Sequence, residues 1–168
     1  MLRKIVSLVI IFIGFILQSS VFSHISLGGI VPNILFIITA TYGFMRGQNS
    51  GMAVGFICGI MIDIFYGSPF GFVTLIYVLI GYLNGFFKNI FYPEDIKLPM
   101  VLITGSEAVY SMLYYIFRFL LRGNLELGYC FVHIILPEIV YTILVTLVLY
   151  KIIVYINEQL EIYERRNS

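Results

Sequence analysis

The chain has 168 residues, of which 60% are hydrophobic and 11% charged, with a net charge of +1 and a mean hydropathy of +0.99. A soluble domain carries roughly 45–50% apolar and about 25% charged residues; here the apolar excess runs through nearly the whole length, which excludes a soluble domain of any size. Charge this close to zero argues against nucleic acid as a partner, and two cysteines, Cys58 and Cys130, are too few for a disulfide framework.

Arg3 and Lys4 precede an apolar run, and the first span is placed at residues 5–22. A basic start with an apolar core resembles a signal peptide. Gln18-Ser19-Ser20-Val21-Phe22-Ser23 is a poor cleavage site, however, so a retained signal anchor is expected. A polar, glycine-rich segment without Lys or Arg leads to the second span at 31–45, with Pro32 in its first turn, where a missing N–H costs nothing. Arg46-Gly47-Gln48-Asn49-Ser50 reads as a five-residue turn.

The third span, 51–66, carries Gly51, Gly55, Gly59 and then Asp63 at every fourth position, which puts them on one helix face. All around that stripe the side chains are large and apolar. Small residues four apart let helix backbones approach closely in lipid. A carboxylate closing such a stripe is costly and needs a partner or a task. Gly67-Ser68-Pro69 makes a tight turn, and the fourth span, 70–87, repeats the spacing with Gly81 and Gly85.

A charged loop, 88–98, precedes the fifth span at 99–121, which contains Glu107 and Arg118. A polar turn follows. The sixth span, 131–156, holds Pro137 and Glu138, and the proline predicts a kink. Residues 157–168 form a charged cytoplasmic tail, expected to be a solvated helical extension. The fold class is therefore all-α, a single polytopic six-helix transmembrane bundle. The second and third spans are short: ~16 residues cover only ~24 Å of a ~30 Å hydrocarbon core. Either they extend into their glycine-rich flanks or they sit inside the bundle, away from lipid.

With both termini in the cytoplasm, Arg3, Lys4, Arg46, Lys88, Lys97, Lys151, Arg165 and Arg166 lie inside and only Arg118 and Arg122 outside. That asymmetry is the positive-inside pattern. On this orientation Asp63, Arg118 and Glu138 lie at similar depth near the outer side, so Arg118 is expected to pair with Asp63 or with Glu138. Glu107 lies nearer the midplane, either protonated or hydrogen-bonded to Ser106, Ser111, Thr104 or a Tyr across a helix. His24 and His133 lack a third ligand, so no metal is expected. No nucleophile, base and orienting group occur together, so neither catalysis nor a cofactor is expected. The glycine stripe serves internal packing or partner docking.

One block of motifs goes further. Pro32-Asn33 opens the second span and Arg46-Gly47 stands at the turn. Gly51, Gly55, Gly59 and Asp63 follow, then Gly67-x-Pro69-x-Gly71 and Gly81-Tyr82-x-x-Gly85. This block resembles the MreD family of rod shape-determining inner-membrane proteins, except that Asn33 stands where that family commonly has aspartate. The resemblance implies a non-enzymatic part of the bacterial cell-elongation machinery. Its partners would be MreC and, through it, MreB, RodA and a class B penicillin-binding transpeptidase in lateral-wall peptidoglycan synthesis. It also implies a distant likeness to the six-helix substrate-binding S components of energy-coupling-factor vitamin transporters. That supplies an alternative function, although the first helix lacks the Ala-x-x-x-Ala docking patch those proteins tend to carry.

Overall fold

The computed structural model describes residues 2–25, 29–66, 71–90, 92, 95–122 and 127–167. Six helices carry the fold: α1 (Leu2–Ile16), α2 (Ile34–Arg46), α3 (Gln48–Tyr66), α4 (Phe72–Gly85), α5 (Lys97–Arg122) and α6 (Leu136–Asn167). No strand occurs among the described residues. A π-helical turn, Leu17–Val21, prolongs α1, and a 3₁₀ turn, Phe86–Ile90, prolongs α4. Five helical stretches are long and apolar enough to cross a membrane: 3–21, 48–66, 72–90, 97–117 and 132–166.

The exception is α2. Its 13 residues cover ~20 Å, too short for a ~30 Å core, and twelve of them, Ile34 to Met45, are buried. It touches all five other helices. Of the two ways a short apolar span can be accommodated, α2 takes the interior one. The third span takes the other and lengthens to 19 residues.

It lengthens because the turn before it shrinks. The five-residue turn expected over 46–50 is replaced by Gly47 alone, at φ +95°. Gly47 N–H donates to the Gly43 carbonyl at 2.8 Å and its own carbonyl accepts from Gly51 N–H at 3.0 Å, so α2 ends and α3 begins on one residue. An L side chain would be strained at that φ. Pro32 also differs from expectation: α2 starts at Ile34 with Asn33 as its N-cap, leaving the proline ahead of the helix. Near Pro137 the irregularity takes the form of a π-helical turn, Phe131–Ile135, directly before α6.

The glycines of α3 lie against the backbone of α4. A Cβ on Gly55 would stand 2.5 Å from the Tyr77 carbonyl oxygen; one on Gly59 would overlap the Thr74 backbone, and one on Gly51 the Gly81 carbonyl. From the other side, Gly81 abuts Gly51 and Gly85 abuts Gln48. Gly43 of α2 completes the contact, its absent Cβ 2.6 Å from the Gly81 oxygen. The stripe is thus consumed inside the chain, holding α2, α3 and α4 together by backbone apposition. Beyond its apolar part α6 continues without a break through the charged tail to Asn167.

Candidate functional site

Polar side chains gather in three places, two of them at the end of the bundle remote from the termini. The first is Asp63, at the last turn of α3 and 3% exposed. One of its oxygens accepts three hydrogen bonds, from Gly71 N–H (3.0 Å), Thr74 N–H (3.1 Å) and the Thr74 hydroxyl (2.6 Å). Gly71, at φ +91°, is the N-cap of α4. The carboxylate therefore caps the neighbouring helix, meeting both its unpaired N–H groups and the positive end of its dipole. The helix end compensates this oxygen, while the other carboxylate oxygen is buried with no hydrogen-bond partner among the described residues. Gly67 and Pro69 of the preceding turn lie outside the described residues, as does the side chain of Arg118, on which both expected ion pairs depend.

The second is a polar column around the start of α2. The Asn33 side-chain oxygen, Oδ1, accepts from the Tyr77 hydroxyl at 2.6 Å, and the Asn33 backbone N–H donates to the Thr142 hydroxyl at 3.4 Å. Gln18, on the π-helical turn after α1, accepts the Leu35 N–H at 3.0 Å and so caps α2 from a different helix. Tyr110 stacks edge-on to Tyr77, ring centroids 5.5 Å apart. Glu107 is fully buried, and neither of its oxygens has a hydrogen-bond partner among the described residues; the same holds for the Ser111 hydroxyl. Glu138 and Thr142 on α6 are the polar groups that act on Glu107. Above Glu107 the column opens into a cavity of about 160 Å³, lined in part by Gln18, Asn33, Tyr110, Ser111 and Glu138.

The third is a clasp at the end where the termini lie. Two guanidinium nitrogens of Arg46 donate to the Asn157 side-chain oxygen, at 2.9 and 2.6 Å, and a third reaches the Ser7 hydroxyl at 3.3 Å. The cation also lies over the Tyr42 ring, 5.1 Å from its centroid. Arg3 pairs with Glu164 alongside. One residue ties α1, α2 and α6 together.

Of the residues singled out from sequence, Asp63 and Gly71 meet directly, and Glu107 and Glu138 share the polar column. Arg46 stands alone at the opposite end. Tyr77, Tyr110 and Thr142 were missed, and Asn33 and Ser111, though named from the sequence, were not joined to them. Their signal was present: hydroxyls and amides inside otherwise apolar spans are a minority that must find partners in lipid. Among the described residues no three His, Cys, Asp or Glu cluster as a metal site would require.

Five helices able to cross a bilayer, packed around a buried sixth and spending their polar groups on one another, define a multi-pass membrane protein. Within that class the chain belongs to the MreD family, described as rod shape-determining protein MreD, whose model matches residues 1–158. No curated protein and no solved structure matches it.

Proposed function

We propose that the chain is a non-enzymatic component of the bacterial cell-elongation machinery, seated in the cytoplasmic membrane with both termini in the cytoplasm. It works there with MreC, and through MreC with MreB, RodA and a class B penicillin-binding transpeptidase, to direct lateral-wall peptidoglycan synthesis. The observation that carries this reading is the family match over residues 1–158, nearly the whole chain. The distribution of charge supports the orientation: the end bearing Arg3, Lys4, Arg46, Lys88 and Lys97 is the end where the termini lie. Arg118 then stands on the outer side, and its pairing with Asp63 or Glu138 belongs to this proposal.

The test is a pull-down of the tagged chain from gently solubilised membranes, with mass spectrometry of what co-purifies. MreC and wall-synthesis proteins are expected. One observation favours a second reading, a substrate-binding S component of a vitamin transporter: the polar cavity at the outer end. Recovery of ATPase subunits with a bound vitamin, and no MreC, would replace the first reading with this one.

A further inference from the structure

The cavity lies among the π-helical turn after α1, the segment leading into α2, the last turns of α3, and α5 and α6, and a carboxyl group lines it. Beside the Glu138 carboxyl its lining carries the Ser111 hydroxyl, the phenols of Tyr66, Tyr110 and Tyr114, and the side-chain amides of Gln18 and Asn33, whose oxygens already accept from the Leu35 N–H and the Tyr77 hydroxyl. No Lys, Arg or His is among the described lining residues. Ser111 is fully buried and without a hydrogen-bond partner among the described residues. Just beneath lies Glu107, a fully buried carboxyl set against Thr142 and Glu138 of α6. The rings are arranged as a wall: Tyr110 and Tyr114 stack at 5.8 Å between centroids, and Tyr115 meets Tyr114 edge-on at 5.8 Å.

Aromatic faces beside a carboxylate are the chemistry of cation recognition, since the ring quadrupole and the negative charge attract the same guest. The Glu138 carboxyl and the unpartnered Ser111 hydroxyl call for a guest with N–H donors, which selects a primary ammonium over a quaternary one. The volume, about 160 Å³, admits a head of only a few heavy atoms. We propose that this cavity binds a small primary ammonium group, with Glu138 as counter-ion, which leaves Asp63 as the partner of Arg118, with Ser111 as hydrogen-bond acceptor and Tyr110 and Tyr114 as the aromatic wall. The ammonium comes from an aminophospholipid headgroup or from a free amine in solution.

The experiment uses the full chain in nanodiscs of phosphatidylglycerol containing a tenth phosphatidylethanolamine, with native mass spectrometry of the lipid retained after release. Retention of one phosphatidylethanolamine, enriched at least tenfold over its share, assigns the site to the lipid headgroup. If no lipid is enriched, ethanolamine is titrated into pure phosphatidylglycerol discs and followed by tyrosine emission, which thirteen tyrosines and no tryptophan make a direct reporter. Saturation at one equivalent assigns the site to a free amine. Glu138→Gln, which keeps side-chain size, is expected to abolish the enrichment or the saturation, and Ser111→Ala to weaken it about threefold. The circular dichroism of each variant checks that it is folded. Absence of both signals overturns the proposal, as does binding that survives Glu138→Gln in a folded protein. Binding that appears only in Arg118→Gln would show that Arg118, not a ligand, neutralises Glu138, and would overturn it too.

Discussion

Substituting one glycine of the α3 stripe separates packing from helix propensity. In Gly55→Ala the new methyl would stand 2.5 Å from the Tyr77 carbonyl oxygen and 2.8 Å from its carbon, with Thr39 Cγ2 at 3.0 Å. A carbon and a carbonyl oxygen approach comfortably at about 3.3 Å, so α3 and α4 must separate locally by roughly 0.8 Å. Both obstructing atoms of Tyr77 are backbone and cannot rotate away. Overpacking of this kind costs about 1–3 kcal/mol, a change of about 5- to 150-fold in the unfolding constant. Gly105 on α5 is the internal control: it is exposed and nothing lies within 4 Å of its missing Cβ. Gly105→Ala is therefore expected to be neutral or to stabilise by up to about 1 kcal/mol, because alanine favours the helix. The same chemical change thus has opposite signs at the two sites. Denaturant titration in mixed micelles, followed by tyrosine emission and circular dichroism, measures both. If Gly55→Ala proves as stable as Gly105→Ala, the two helices are not in backbone contact and the account of the stripe is wrong.

Asp63→Ala leaves the Gly71 and Thr74 N–H groups without their acceptor and is expected to destabilise by about 1–3 kcal/mol. Asp63→Asn should cost less, and a coupling above about 1 kcal/mol between Asp63→Asn and Arg118→Gln in a double-mutant cycle would establish the proposed ion pair. Tyr77→Phe strips the donor from the Asn33 side-chain oxygen, with an expected loss of about 1–3 kcal/mol in the same unfolding assay; an unchanged midpoint would mean that the bond contributes nothing. Arg46→Lys keeps the charge but loses the planar fork that spans Asn157 and Ser7. The C-terminal part of α6 should then become more sensitive to a protease that cuts after Arg165 and Arg166, while undiminished protection would place the anchoring elsewhere.

What the sequence discloses follows from the range of each interaction. The glycines of α3 are four apart on one helix, so their shared face is readable from local spacing. Asp63 is readable as a residue with a task because a carboxylate in an apolar run is expensive. Its partners are not, because two of the three donors are backbone N–H groups at a helix start, and backbone groups have no signature in composition. Arg46 and Asn157 are 111 positions apart, and Asn33 and Tyr77 are 44 apart; nothing local links them. The burial of α2 could not be decided either, because an all-apolar run looks the same whether lipid or protein surrounds it. Its shortness was the one clue. The π-helical turn at Leu17–Val21 leaves hydropathy unchanged and was invisible for that reason, whereas Pro137 marked the neighbourhood of the one at Phe131–Ile135 but not its form.

The enclosure of α2 also has a consequence for biogenesis. A stretch of 13 residues that covers ~20 Å cannot settle alone across a ~30 Å hydrocarbon layer with its backbone ends satisfied. It must wait at the insertion machinery, or at its edge, until a companion arrives. Gly47 makes that wait short in sequence: α3 follows after a single residue, and α4 soon after, bringing the surfaces on which Gly43 rests. The three helices therefore enter the bilayer as one unit during synthesis, and a ribosome stalled before residue 85 should leave α2 exposed to membrane quality-control proteases.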